Sequence, residues 1–206
     1  LATDNSANWR IALSSSIDRL LAEKQFCLAF QPKLNLETGV VESAECLMRW
    51  THPDFGAIPP SEFIEAAEQG SAISDLTAFA LDTALQALTV IRKVRPNFTL
   101  AVNLSPVLLD DPDLADRILE AVDSYGIDRT ALILEITEAA GLADRSVAMD
   151  MLDRLAKAGM PLSIDDYGTG RSTLDYLRVI PAKEIKLDRS FVGDMIVNDQ
   201  NRNLVE

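Results

Sequence analysis

Short apolar runs alternate with amphipathic segments along most of the chain, and this alternation restricts the fold more than any other feature. Near the N-terminus, two apolar runs flank Glu37-Thr38-Gly39, which predicts a hairpin. From about residue 74 onward, a helical pattern precedes or follows every strand-like run. Strand and helix in alternation require crossover connections, so we expect an α/β fold with a mostly parallel sheet.

Hydrophobic periodicity, together with Pro and Gly at segment ends, indicates where each strand and helix begins and ends. We predict strands at 26–36, 40–47, 98–102, 131–134, 160–164 and 184–187. We predict helices at 9–21, from about 61, at 74–92, between 112 and 126, at 144–158, at 172–177 and from 191 onward. The apolar face of the helix at 9–21, which includes Trp9 and Leu13, should pack on the domain that follows, and the helix at 74–92 should bury an apolar stripe that includes Leu85 and Leu88. The sequence shows no repeat or linker, so we expect an N-terminal helix within residues 1–25 that leads into one domain at 26–206.

The composition argues against several classes of function. The net charge of −13, from 19 basic and 32 acidic residues, disfavours a surface for duplex nucleic acid. The single histidine, His52, argues against a histidine-based zinc site or a Ser-His-Asp triad. Cys27 and Cys46 lack the spacing of a metal site. Neither a signal peptide nor an apolar run long enough to span a bilayer is visible, so we expect a cytoplasmic protein or the cytosolic part of a membrane-anchored one.

Polar residues that can ligate a hard cation or bind phosphate lie at or near the C-terminal ends of five apolar strand runs; Glu45, for example, closes the run at 40–44, and Lys186 lies within the run at 184–187. They are Glu45, Asn103, Glu135, the adjacent pair Asp165 and Asp166, and Lys186. In a β/α barrel the C-terminal strand ends converge on one rim, which carries the active site. An open doubly wound sheet also places strand ends near a crevice, but it rarely brings five of them to one point. We therefore predict a β/α barrel with an acidic cluster at its mouth.

The chemistry of this cluster favours magnesium or manganese. It contains oxygen ligands without imidazole or thiolate, which suits Mg²⁺ or Mn²⁺ rather than zinc or copper. Four neighbouring carboxylates stay ionised only with roughly two divalent cations among them, and paired metals commonly hydrolyse phosphoesters. Lys186 suits a water-orienting or phosphoryl-binding role, and Arg49 suits a phosphate clamp. The simpler alternative is a set of solvated strand ends, with a Gly168-Thr169-Gly170 loop that has no lysine at Walker spacing.

Taken together, these motifs resemble those of the EAL domain, the bacterial cyclic di-GMP phosphodiesterase family. The resemblance is carried, in order, by Gln31-Pro32, Glu45 to Trp50, Asn103 to Ser105, Glu135 to Glu138, Asp165 to Leu174 and Lys186 to Phe191. It extends from about Phe26 to the end of the chain. It implies a TIM-like β/α barrel with an antiparallel first strand, and hydrolysis of cyclic di-GMP to linear pGpG in second-messenger signalling.

The resemblance also implies roles for individual residues. The metal ligands, for two ions of Mg²⁺ or Mn²⁺, are Glu45, Asn103, Glu135, Asp165 and Asp166. The catalytic residues are Glu45, Asp166 and Lys186. The residues that contact the substrate are Gln31, Leu47 and Arg49. Glu138 anchors the glycine-containing loop beyond Asp166.

The sequence departs from the family pattern at Cys46, Tyr167 and Thr173, where the family has alanine, phenylalanine and serine, and none of these changes removes a ligand. The pattern continues past Glu206 with another acid, a glutamine and the last barrel strands, so we expect the C-terminal part of the barrel to be missing. Because the chain begins at Leu1 rather than Met, we expect fusion to an upstream sensor or GGDEF-type domain, and we also expect a homodimer. Two alternatives stay open: a receptor that binds cyclic di-GMP without cleaving it, and a structural interaction domain.

Overall fold

The computed structural model of the chain describes residues 3–137, 146–168 and 180–194. The helices are α1 (Thr3–Ala22), α2 (Pro60–Gln69), α3 (Ala72–Ile91), α4 (Leu114–Ser124), α5 (Ser146–Lys157) and α6 (Arg189–Asp194). The strands are β1 (Phe26–Leu34), β2 (Val41–His52), β3 (Gly56–Ile58), β4 (Thr99–Asn103), β5 (Leu132–Thr137), β6 (Leu162–Tyr167) and β7 (Glu184–Leu187). The helix predicted at 172–177 lies outside the described residues.

A single sheet of seven strands organises the fold. Its order is β1-β2-β4-β5-β6-β7, with β3 paired to β2. The first strand runs antiparallel to β2, whereas β2, β4, β5, β6 and β7 pair in parallel, so the prediction of a mostly parallel sheet with an antiparallel first strand is confirmed. This is a TIM-like barrel that is not closed, because within the described part of the chain β1 and β7 do not pair with each other.

The sheet nevertheless curves strongly, as a contact between side chains of its two edge strands shows. The Nζ atom of Lys33, on β1, lies 2.8 Å from Oε1 of Glu184, on β7. This ion pair spans the concave side of the sheet. The inward-pointing side chains of the intervening strands are therefore gathered into one interior.

The strands that carry the predicted ligands are longer than the apolar periodicity indicates. Strand β2 continues to His52 because Trp50 pairs with Phe26 of β1 on one side and with Ile58 of β3 on the other. Glu45 therefore lies inside β2, and the prediction that it closes its strand is wrong. In the same way β5 and β6 extend past the predicted ends, so their acids lie within the strands, near the C-terminal ends.

The longest of the described helices are α1 and α3, with 20 residues each. Helix α3 packs against the sheet, and α1 packs mainly against α2 and α3. On α1, Trp9 and Leu13 are buried in the same core as Trp50, which confirms that its apolar face packs on the domain that follows. On α3 the fully buried residues include Leu85 and Leu88 of the predicted stripe. Among the described residues, none of the helices combines the length and hydropathy needed to cross a bilayer.

Candidate active site

Three carboxylates from three strands meet near the C-terminal ends of the parallel strands. Glu45 on β2, Glu135 on β5 and Asp165 on β6 each offer an oxygen atom, and these atoms lie within 4.8 Å of one another. We call these three residues the acid triad. Opposite oxygen ligands of Mg²⁺ are about 4.2 Å apart, so the triad has the dimensions of a site for one divalent cation.

Lys186, on β7, supplies a positive charge at the centre of the acid triad. Its Nζ atom lies 2.8 Å from Oε2 of Glu45, 2.9 Å from Oε2 of Glu135 and 3.0 Å from Oδ2 of Asp165. Burial lowers the pKa of Lys186, but the hydrogen bonds that its ammonium donates to the carboxylates outweigh burial and raise the pKa well above its ordinary value. Lys186 is therefore a permanent cation in this arrangement.

Two of the triad carboxylates have their pKa values shifted in opposite directions. Burial raises the pKa of Glu45, but hydrogen bonds from Lys186 and Asn103 outweigh it, and the net shift is downward. Burial also raises the pKa of Glu135, and Lys186 only partly offsets this effect. The difference follows from position, because the side chain of Glu135 is fully buried whereas that of Glu45 is 15% exposed.

Asn103 joins the triad through its side chain. Its Nδ2 atom donates a hydrogen bond of 3.0 Å to Oε1 of Glu45. Parallel pairing places Asn103 beside Glu135 in the sheet, at the end of β4. Because the amide nitrogen is used in this hydrogen bond, the amide oxygen Oδ1 is the atom with which Asn103 could ligate a cation.

Asp166 has a backbone conformation that is uncommon in residues other than glycine. Its φ angle is +54°, in the left-handed region that aspartate tolerates better than most residues. Its backbone N–H donates to Oδ1 of Asp165 at 2.9 Å. Asp166 lines a cavity beside Asn103 and is not a member of the acid triad. Burial raises the pKa of Asp166, and the charges of Asp165 and Asp188 add to the effect.

This cavity, of about 430 Å³, lies directly beside the acidic groups. Such a volume falls within the range of about 300–1,000 Å³ usual for small-molecule sites. Leu47 and Arg49 line it together with apolar side chains of α2 and α3, including Ile64, Ile73 and Leu76. Two of the three predicted substrate contacts therefore share one cavity.

The third predicted substrate contact, Gln31, is not among the described residues that line the cavity, but it pairs with Glu45 across β1 and β2. Glu138 lies outside the described residues, so its role as a loop anchor stays a prediction. The same holds for residues 169–174 of the motif that begins at Asp165.

Gly168 fits closely against α6 immediately after the acidic pair. Its φ angle is +101°, and a Cβ atom added there would lie 2.3 Å from Cε2 of Phe191. Only glycine satisfies both the backbone angle and the contact with the ring. The start of the glycine-containing loop is thus packed against the Lys186 to Phe191 motif.

Three polar side chains near the triad, Lys33, Ser163 and Glu184, are not among the residues predicted from the sequence. Lys33 Nζ lies 2.8 Å from Glu184 Oε1 and 3.5 Å from Glu135 Oε1, and Ser163 Oγ donates to Glu184 Oε1 at 3.0 Å. The two-residue period of a strand could have identified all three. Lys33 is two residues from Gln31, Ser163 is two residues from Asp165, and Glu184 is two residues from Lys186.

The donor set fits a hard divalent cation. The converging oxygen atoms already hold one cationic group, the ammonium of Lys186, within 3.0 Å of three carboxylates. The neighbouring thiol of Cys46 is no competitor, because burial raises its pKa to about 12 and keeps it protonated. Oxygen ligands without thiolate or imidazole favour Mg²⁺ or Mn²⁺ over softer ions.

Comparisons with known proteins identify the family to which the chain belongs. The protein-family model described as "EAL domain" matches residues 14–206. The bifunctional diguanylate cyclase/cyclic di-GMP phosphodiesterase MucR of Pseudomonas aeruginosa is 31% identical over 201 residues, which cover 97% of this chain and 29% of that protein. The cyclic di-GMP phosphodiesterase NbdA of the same species is 32% identical over 201 residues, which cover 97% of this chain and 26% of that protein.

A solved structure supports the same relationship at the level of the fold. The structure described as "PaMucR Phosphodiesterase, c-di-GMP complex" superposes with a TM-score of 0.84 at 31% identity, covering 94% of this chain and 78% of that chain. The chain spans less than a third of the length of the two curated relatives. With a family model matched over nearly its whole length and a barrel of the same architecture, the chain belongs to the EAL domain family.

Proposed function

We propose that this chain is a metal-dependent phosphodiesterase that hydrolyses cyclic di-GMP to linear pGpG in bacterial second-messenger signalling. One observation carries the proposal: an acid triad built around a cationic centre opens beside a cavity that contains Arg49. Relatives that match the chain almost from end to end are named cyclic di-GMP phosphodiesterases. Their names describe those proteins, and the same activity is our proposal for this one.

Glu45, Asn103, Glu135 and Asp165 would hold the metal, and Asp166, on the cavity wall, would contribute to a second ion. When bound, Mg²⁺ or Mn²⁺ supplies positive charge that stabilises phosphoryl oxygens and favours ionisation of water. The protein contributes the rest by geometry. Its acids come from separate strands of one curved sheet, so their positions are set before the substrate arrives.

Lys186 acts in this proposal as a hydrogen-bond donor rather than as a base. In this structure its ammonium contacts Glu45, Glu135 and Asp165, and a metal ion that bound these carboxylates would free its three N–H donors for the water or the phosphoryl group. An ammonium has no lone pair with which to accept a proton. A donor held near the acids can orient the attacking water or bind a phosphoryl oxygen as charge develops there. The place of Asp166 on the cavity wall supports the catalytic role that the family resemblance implies for it.

The cavity suits a substrate with both phosphate and flat ring systems. Arg49 offers a guanidinium that can pair with a phosphate oxygen, while its Nη1 atom is anchored 2.9 Å from the carbonyl oxygen of Met48. Leu47 and the apolar residues of α2 and α3 offer surface for a purine base. Gln31, beside Glu45 in the sheet, would approach the substrate from the opposite strand.

Incubation of the full protein with cyclic di-GMP and Mn²⁺ or Mg²⁺ tests the proposal. Linear pGpG as product, lost with EDTA, supports the enzyme. Glu45→Ala should abolish turnover and leave the fold intact by circular dichroism, because Glu135 and Asp165 still contact Lys186 when Glu45 is removed. Glu120→Ala, an exposed glutamate on α4, is the matched control and should retain turnover. Normal turnover by Glu45→Ala contradicts the proposal.

One observation favours the alternative of a receptor that does not cleave its ligand. Lys186 already neutralises much of the acid triad, so this site carries a counter-charge without a metal ion. Tight binding of cyclic di-GMP without product, at any concentration of Mn²⁺, would identify such a receptor. If the protein neither binds cyclic di-GMP nor produces pGpG, the remaining alternative is a structural interaction domain.

Association with other domains is a separate proposal. We propose a homodimer, and fusion to an upstream sensor or GGDEF-type domain, with residues 1–25 as the connection. The dimer rests on the family resemblance alone, whereas the fusion is supported by MucR, whose name describes two activities. Light scattering of the full protein tests the dimer, and the expected cytoplasmic location stays a prediction.

A further inference from the structure

A second polar layer lies next to the acid triad and is built around Lys33. Its ammonium contacts two carboxylates, Glu184 at 2.8 Å and Glu135 at 3.5 Å. Ser163 donates to the same oxygen of Glu184, at 3.0 Å. Lys33 and Glu184 come from β1 and β7, the two edges of the sheet.

The register of the sheet aligns these groups. Glu135 pairs with Ser163, and Ser163 pairs with Glu184, so the three residues occupy one level on three adjacent parallel strands. Lys33 reaches this level from the far edge. Its side chain is 25% exposed, whereas that of Glu135 is completely buried.

Each oxygen of the buried Glu135 carboxylate therefore has its own lysine. Lys33 lies 3.5 Å from Oε1, and Lys186 lies 2.9 Å from Oε2. A metal ion that binds the acid triad must take the place of Lys186, because its ammonium lies within 3.0 Å of all three carboxylates. Lys33 is not part of the triad and would keep its contact with Oε1.

We infer that Lys33 is a positioning residue for the metal ligand Glu135. It holds Oε1 so that Oε2 faces the cation, and Glu184 with Ser163 holds the ammonium of Lys33 in place. The inference rests on the proposed metal site. Groups that orient a metal ligand in this way typically contribute about 10- to 100-fold to metal affinity.

The direction in which metal affinity changes when Lys33 is removed distinguishes a positioning role from a simple electrostatic effect. Lys33 is a positive charge near a cation site, so electrostatics alone predicts that its removal strengthens metal binding. Positioning predicts the reverse, because a carboxylate without its anchor can turn away from the ion. Loss of affinity on removal of a like charge therefore marks a role in orientation.

The test is the dissociation constant of Mn²⁺, measured by EPR titration of the full protein without substrate. We expect Lys33→Met to weaken Mn²⁺ binding about 10- to 100-fold. We expect Lys33→Arg to restore most of the affinity, since arginine keeps both the charge and the donors. Lys93→Met, at an exposed position, removes the same charge away from the site and should leave the affinity unchanged.

Unchanged or tighter Mn²⁺ binding by Lys33→Met overturns the inference. If circular dichroism shows that Lys33→Met does not fold, the dissociation constant of Mn²⁺ is measured for Lys33→Gln instead. This variant keeps a donor toward Glu184 without the charge, and unchanged or tighter binding by it likewise overturns the inference. Failure of the proposed function gives a different result, because the wild-type protein would then bind no Mn²⁺ and produce no pGpG. Weak binding limited to the Lys33 variants supports the inference even if cyclic di-GMP is not cleaved.

Discussion

Replacing Lys186 by methionine perturbs the acid triad at its centre. The substitution keeps an unbranched apolar stem but removes an ammonium bonded to Glu45, Glu135 and Asp165. Without metal, three carboxylates then face one another, and one of them is fully buried. Removing one partner of a buried ion pair costs about 3–5 kcal/mol of the free energy of unfolding. Since Lys33 still contacts Glu135, we expect a loss near the lower end of this range.

A divalent cation should reverse much of this loss. In Lys186→Met no ammonium has to be displaced, so Mn²⁺ should bind more tightly than in the wild type. At a concentration of 100 times its dissociation constant, a bound ligand stabilises the folded state by about 2.7 kcal/mol. Turnover should still fall, by roughly 10²- to 10³-fold, because a donor to the developing charge is lost.

Urea unfolding followed by circular dichroism measures both effects, once in EDTA and once with saturating Mn²⁺. For a chain of this size, a loss of 3–5 kcal/mol corresponds to a fall in Tm of about 6–20 °C. Lys157→Met removes a lysine from an exposed pair with Asp153 and should change the unfolding free energy by less than about 1 kcal/mol. If Lys186→Met in EDTA is as stable as the wild type, the triad is not held by this lysine, and the reasoning is refuted.

Three further predictions concern packing near the site and in the core. Gly168→Ala should lower both stability and turnover, because its Cβ would overlap the ring of Phe191; normal pGpG production would contradict this. Leu85→Ala, at a fully buried position on α3, should cost about 2–5 kcal/mol in urea unfolding, and a loss below 1 kcal/mol would mean that the helix packs differently. In the folded protein a maleimide reagent should label the exposed Cys27 but not the buried Cys46, whereas both cysteines should react in urea. Mass spectrometry counts the labels, and two labels on the folded protein would argue against the burial of Cys46.

Much of the fold could be predicted because local pattern and tertiary packing agree. The stripes of α1 and α3 are buried as their helical spacing predicts, and the run of alternating strands and helices forms a parallel sheet. The predicted ends of the strands agree least with the structure. In β2, residues 48–50 pair with β1 and residues 50–52 pair with the short β3. Such pairing depends on partners that periodicity does not reveal.

The chemical character of the site follows from residue types near the ends of the strands. The acids Glu45, Glu135 and Asp165 could be chosen from sequence because each lies in or beside an apolar run, and parallel strands bring such positions to one edge. Their meeting in space is a geometric fact of the structure. Their roles as metal ligands, and those of Asn103 and Asp166, stay predictions until binding is measured.

Only the tertiary structure decided how the charges are paired. The strand pattern predicts Lys186 at the same rim as the acids, but it does not indicate that its ammonium contacts three of them, or that Lys33 spans the interior to Glu184. The sequence determines which face of its strand each side chain occupies, through the two-residue period. Distances between side chains on opposite edges depend instead on the curvature of the whole sheet, which all of its strands set together.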